Sequence, residues 1–329
     1  VSFPPTTQIG GEVTYTLTLS AGGVSKQTTV IEQVAPLLAV ANFNTPPEVV
    51  LYPLSGITSS TQAEMSLSTG SKIPVALAFD PEGNLWVGGS TCSTSFLEEF
   101  KAPFSQNEQP ISFTSLSLTG PIYSLAFDAQ GNLWVGEESC STSSFGQIQE
   151  YTSSSGPSPV GSPLNPPGAP YGLTLDQEGN LWVGVVTRSS TEIVEYLAPV
   201  SSHSTTQTYS LSTTSSAGFG PLAFDTSGNL YSFVQATTNA PLEELKAGSS
   251  PANPDFITFS NVTSTGTGGV VPIGLAFDSS GDLWISEGNG VKEFTPPLTS
   301  PMTPTTLTNE INGPADLAIW PIPQGLPLY

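Results

Sequence analysis

The sequence predicts an all-β fold, a six-bladed β-propeller, on three observations. A phrase of the form Leu-Ala-Phe-Asp-x-x-Gly-Asn-Leu-Trp-Val recurs at Val75–Val87, Ser124–Val135, Gly172–Val183, Pro221–Phe233 and Ile273–Ile285. Its aspartates, Asp80, Asp128, Asp176, Asp225 and Asp278, stand 48, 48, 49 and 53 residues apart, a period that marks repeated supersecondary units. The two ends of the chain carry complementary halves of one further unit, which is what closes a ring.

Within a unit, Val75–Phe79, Leu85–Val87 and Phe96–Phe100 read as three strands of one sheet, with Asp80-Pro-Glu-Gly-Asn84 as the turn between the first two. The aspartate side chain accepts from amides two residues on, and Gly83 supplies the positive φ of a tight hairpin, a role repeated by Gly131, Gly179, Gly228 and Gly281. Fourth strands are expected at Ile111–Leu118, Thr206–Leu211, Asp255–Phe259 and Thr303–Leu307. Proline stands at the entry to the units (Pro74, Pro121, Pro170, Pro221, Pro272, Pro314), where no ladder hydrogen bond is yet required. Trp86, Trp134, Trp182, Tyr231 and Trp284 share one position, and their expected task is packing between neighbouring blades.

First strands begin near 75, 124, 172, 221, 273 and 315, hence six blades. Gly313–Trp320 matches a first strand and then stops, while Leu37–Asn44 with Val49–Tyr52 supplies later strands and lacks a first. Joined, they make the sixth blade and leave no open sheet edge. The expected organisation is an N-terminal arm and hairpin at 1–35, the propeller at 36–321 and a proline-rich tail at 322–329.

In the first segment Val13, Tyr15, Leu17 and Leu19 alternate with Glu12, Thr14, Thr16 and Thr18, Ala21-Gly-Gly23 turns, and Val24–Val34 returns. Two strands alone are marginal in water, so something must cover the apolar face. Docking on its own ring, addition to another molecule's sheet and an upstream domain removed by processing are the three readings. The second makes Val13, Tyr15, Leu17 and Leu19 a candidate assembly strand and leads to a filament.

These motifs resemble NHL-type repeats and the related streptogramin-lyase and gluconolactonase-like propellers, most clearly in Pro272–Phe294 and Pro170–Tyr196. The N-terminal pair resembles the last hairpin of an immunoglobulin-like or PKD-like domain, which in full needs about 100 residues. The resemblance implies the propeller fold. It spans lyases, lactonases, sugar or peptide binders and structural modules, so it does not select a function.

Composition narrows the classes. Six Lys plus Arg against 27 Asp plus Glu give a net charge of −21, which repels nucleic acid. No apolar run is long enough for a spanning helix, and a start at Val1 without Met reads as a processed product. A charged-residue content of only 10% and two cysteines fit a secreted, extracellular or cell-surface protein. Cys92 and Cys140 occupy equivalent places in successive units, either as a disulfide or as two separate thiols. Asn261-Val-Thr263 is the one N-glycosylation sequon.

The lyase branch is understood to use a histidine, but the only one, His203, lies in a polar connection outside the repeat core. The lactonase branch is understood to hold a cation on the axis. Glu137, Glu138 and Glu287 are the carboxylates best placed for calcium or magnesium, although exposed acids of an acidic protein read the same way. No hydrolase elbow or zinc motif is present. The reading is therefore a noncatalytic structural or adhesive module with no catalytic, cofactor-binding or metal residues assigned. Its expected partner is itself or another extracellular protein. A metal-dependent lyase or lactonase is the alternative, as is a glycan or peptide binder using the loops Gly88–Ser95 and Gly136–Ser144.

Overall fold

The computed structural model describes residues 12–21, 24–33, 36–89, 95–114, 116–140, 145–152, 156–187, 191–210, 218–235, 241–263, 274–288, 290–298 and 303–320. Strands β1 (Glu12–Ala21) and β2 (Val24–Gln33) form a sheet of their own, and six four-stranded antiparallel sheets follow. Blade one holds β6 (Pro74–Phe79), β7 (Leu85–Gly89), β8 (Phe96–Phe100) and β9 (Ile111–Ser112). In blade two are β10 (Ile122–Phe127), β11 (Leu133–Glu138), β12 (Gly146–Thr152) and β13 (Ser158–Leu164). Blade three contains β14 (Ala169–Leu175), β15 (Leu181–Val186), β16 (Thr191–Tyr196) and β17 (Thr206–Ser210). Blade four contains β18 (Gly218–Phe224), β19 (Leu230–Gln235), β20 (Pro241–Leu245) and β21 (Phe256–Thr263). Blade five contains β22 (Leu275–Phe277), β23 (Leu283–Glu287), β24 (Gly290–Phe294) and β25 (Thr305–Leu307).

Blade six joins the ends of the chain: β26 (Pro314–Trp320) pairs with β3 (Leu37–Asn42), followed by β4 (Glu48–Pro53) and β5 (Met65–Ser68). Leu317 stands opposite Val40 and Ile319 opposite Leu38. The first strands β6, β10, β14, β18, β22 and β26 lie side by side around the axis, and β26 returns to β6. The expected fourth strand of blade one is shorter than its sequence span, since pairing ends at Ser112. Strand β5, which the sequence reading missed, is a four-residue edge too short to show a period.

Each turn works as its composition demands. Gly83, Gly131, Gly179, Gly228 and Gly281 take φ between 80° and 86°. Asp80 does more than cap the turn: Oδ1 accepts from the amides of Glu82 (3.0 Å) and Asn84 (2.8 Å), and Oδ2 from Asn84 Nδ2 (2.7 Å) and Trp86 Nε1 (3.1 Å). One carboxylate thus ties the turn to the ring that packs between blades. Trp86 meets Phe127 of the next blade edge-on at 5.8 Å, Trp182 meets Phe224 at 5.8 Å and Tyr231 meets Phe277 at 5.0 Å. In blade six the ladder puts Ala39 at the tryptophan position, and Trp320 packs on Phe79 instead, at 5.9 Å.

Asp80→Ala is expected to strand several buried donors and lower stability by about 3–5 kcal/mol. Asp225→Ala should cost about 1–2 kcal/mol, because that turn is more exposed and Tyr231 Oη lies 3.4 Å from Oδ2. Urea midpoints of the two variants measure the difference.

Candidate binding site at the axis

Three residues before each turn aspartate, or its equivalent in blade six, stands a leucine: Leu77, Leu125, Leu173, Leu222, Leu275 and Leu317. All six are buried and line one small axial cavity of about 40 Å3, together with Tyr123, Ser124, Tyr171, Gly172, Pro221 and Asp316. Every blade therefore contributes one leucine to the axis. A ring of branched side chains narrows the axis at this level.

Polar groups at the axis are set by strand irregularities. The ladders slip at Tyr123 in β10 and Tyr171 in β14, where one extra residue is inserted against the second strand. Such bulges re-aim a side chain. The two rings stack with centroids 4.5 Å apart and an interplanar angle of 25°. Glu138, at the end of β11, lies beside both phenols, whose single protons its carboxylate can accept. Burial raises both phenol pKa values, and the Glu138 charge raises them further, so the tyrosines stay protonated and are not poised as nucleophiles. Burial likewise raises Glu138 above the usual carboxylate range, against the opposing phenol hydrogen bonds.

Asp316, just after the bulge of β26, is half-buried, and the desolvation it suffers there pushes its carboxyl up to about 8. Its Oδ2 accepts from Leu77 N (2.8 Å) of blade one and its Oδ1 from Leu317 N (2.8 Å). It joins the first strands where the ring closes.

The carboxylates singled out from sequence divide into three roles. Glu137 is fully buried and hydrogen-bonded: Oε2 accepts from Thr119 N, Thr119 Oγ1 (3.0 Å) and Gly120 N (3.2 Å), and Oε1 from Gln147 (3.3 Å). It fixes the entry to blade two. Glu287 pairs with Lys292, and only Glu138 reaches the tyrosine pair. Among the described residues one group of three carboxylates converges, Asp278, Asp282 and Glu293, but it sits at the turn of blade five, where Asp282 replaces the asparagine of the other repeats.

His203 is exposed in the connection between β16 and β17, with Nδ1 3.2 Å from Ser202 Oγ. Cys140 is disulfide-bonded, and Cys92 lies outside the described residues. Asn261 falls within β21, its side chain outside the described set. The loops Gly88–Ser95 and Gly136–Ser144 lie partly outside it too. A larger cleft of about 650 Å3 opens between blades three and four, beside Asp176 and Asp225. Its buried Glu195 is already bonded by Tyr209 Oη at 2.9 Å. Tyr123, Tyr171 and Asp316 escaped the sequence reading. They show only when the repeats are stacked in columns, five and four residues before the turn aspartate or its equivalent, where the other units carry Val, Gly, Ile or Ala and Ala, Ser, Gly or Pro.

Residues 116–138 match the family model described as the two component regulator propeller. A search of curated proteins finds no match. A chain of the nidogen/laminin complex superposes with a TM-score of 0.58 at 15% identity, covering 87% of this chain and 98% of that one. A protein of unknown function from Bacteroides caccae gives 0.58 at 11%, covering 87% and 99%. The virginiamycin B lyase from Staphylococcus aureus gives 0.47 at 14%, covering 71% and 69%, too distant to bear on activity. At these identities the likeness is one of fold. The chain is a six-bladed β-propeller.

Proposed function

We propose that this chain is a noncatalytic extracellular module that works by binding, with the propeller as a rigid body and the N-terminal hairpin as a strand-adding element that links copies. One observation carries the reading. Each of the six blades already has four strands, and β1 and β2 pair with none of them. Val13, Tyr15, Leu17 and Leu19 stand opposite Glu32, Val30, Thr28 and Lys26 in a ladder whose two outer edges have no strand partner among the described residues. A lone hairpin is marginal in water, and its free edges are the template for strand addition. Head-to-tail addition does not close and builds a filament.

The protonated state of Tyr123 and Tyr171 and the bonding of Asp316 to two backbone amides favour a noncatalytic role for the axial groups. The disulfide at Cys140 supports an oxidising compartment. A metal-dependent lyase or lactonase has less in its favour, because the one convergent acid group lies at a blade turn and the histidine is on an outer connection.

Sedimentation of the full chain is expected to show concentration-dependent association. A chain lacking residues 1–34 should sediment as a folded monomer, and Leu17→Asp should match the deletion, since a charge placed on the joining face is expensive to bury. Identical sedimentation of full and shortened chains would refute the assembly role.

A further inference from the structure

Given the strand-adding role of the hairpin, on which this reading rests, we propose that β17, the outer strand of blade three, is the edge that receives β1 of a second copy of this chain. Strand addition needs an edge that is long, regular and unguarded, and the ring offers six outer edges, one per blade.

Five of them fall short. Strands β5, β9 and β25 have four, two and three residues. Strand β13 carries Pro159 and Pro163, and its ladder slips between Ile148 and Glu150. Strand β21 pairs in step only over Phe256–Phe259, after which the register jumps. Strand β17 runs Thr206–Ser210 without proline, charge or bulge, matched residue for residue to β16. No described strand covers its other side.

The phase of the ladder presents the groups that a new strand needs. Leu197 N donates to the Thr205 carbonyl at 3.0 Å, so residues 205, 207 and 209 turn both main-chain groups to β16. Thr206, Thr208 and Ser210, all exposed, turn theirs outward. The edge also stands between two open grooves. Gln207 and Tyr209 line the cleft of about 650 Å3 beside blade four, and Thr206 and Thr208 line one of about 420 Å3 beside Leu164 of blade two. An added strand sends successive side chains to opposite faces, one set toward each groove.

Charge selects β1 over β2 as the occupant. Two chains of net charge −21 repel, so their contact favours strands that carry no charge. Strand β1 is uncharged from Val13 to Ala21 and long enough to span all of β17, whereas β2 carries Lys26 and Glu32.

The test is sedimentation of the full chain bearing Thr208→Pro. Because the Thr208 N–H points away from β16, proline there breaks no bond within blade three, yet it removes a donor from the free edge. Association is expected to weaken at least about tenfold at an unchanged circular dichroism spectrum, and Thr208→Val, which keeps the N–H, should associate like the unmodified chain. In the unmodified chain, hydrogen exchange at the amides of Thr206, Thr208 and Ser210 should slow as rising concentration drives association. Undiminished association of Thr208→Pro, equal loss in Thr208→Val, or exchange at those amides that ignores concentration would overturn β17 as the acceptor. If removing residues 1–34 still abolishes association in that case, strand addition stands and only its edge is wrong; if it does not, the hairpin reading fails as well.

Discussion

A chain ending at Gly313 is expected to lose all six blades together. Strand β26 is the innermost strand of blade six, lying between β22 and β6. Its removal takes Leu317 out of the axial ring, Trp320 off Phe79, and the whole ladder from Leu37 to Asn42. Losing the burial of Leu317, Ile319 and Trp320 alone costs about 5–8 kcal/mol, within the 5–15 kcal/mol total of an ordinary domain. The chain preceding β26 also bonds blade six, through Asn312 N to Asn42 Oδ1 (3.0 Å) and Tyr52 Oη to the Asn309 carbonyl. Those bonds cannot hold β3 without its partner. Circular dichroism and tryptophan fluorescence should both report an unfolded chain, whereas removing residues 1–34 should leave both signals native.

The second large effect is on pH dependence. Asp316 titrates near 8 in the folded ring because burial disfavours its charge more than the amides of Leu77 and Leu317 favour it. Unfolded, it titrates near 3.8. Between these values the folded state holds a proton that the unfolded state has released, so stability falls as pH rises from about 4 to about 8 and levels off above. At 1.36 kcal/mol per pH unit the full effect is on the order of several kcal/mol. Burial also raises Glu99, Glu138, Glu150, Glu195, Glu243, Asp282 and Glu293, which share the sign. Asp316→Asn should therefore flatten the slope of unfolding free energy between pH 5 and 8 without abolishing it. An unchanged slope would mean that Asp316 is charged across that range.

Most of the ring is legible in the sequence because its determinants are local and repeat five times. The turn glycine needs positive φ, the aspartate needs amide donors beside it, and the packing ring, Trp in four units and Tyr231 in the other, falls six residues after the aspartate. Closure was legible as well, since Gly313–Trp320 is a recognisable half repeat. What escaped was whatever depends on one unit differing from the rest. The bond from Trp86 Nε1 to Asp80 links two residues that the sequence marks separately, as a packing ring and a turn cap. Tyr123 and Tyr171 occupy a bulge that recurs in the first strands of blades one, two, three, four and six, but only these two units place a phenol there. Asp316 sits in an apolar strand where alternation gives no reason to expect a carboxylate, and its partners come from both sides of the ring closure. Glu137 and Glu138 are neighbours in sequence with opposite fates, one spent on the blade entry and one beside the tyrosine pair, because successive strand residues face opposite ways.

The sixth blade, built from both termini, can be tested by a cross-link. Ala39 of β3 and Ala318 of β26 stand directly opposite each other, both buried and both small enough for cysteine. With Ala39→Cys and Ala318→Cys in one chain refolded under oxidising conditions, a peptide map should show an intramolecular disulfide joining the two positions, with unchanged circular dichroism. Two free thiols, or bridges formed only between molecules, would contradict the closed ring.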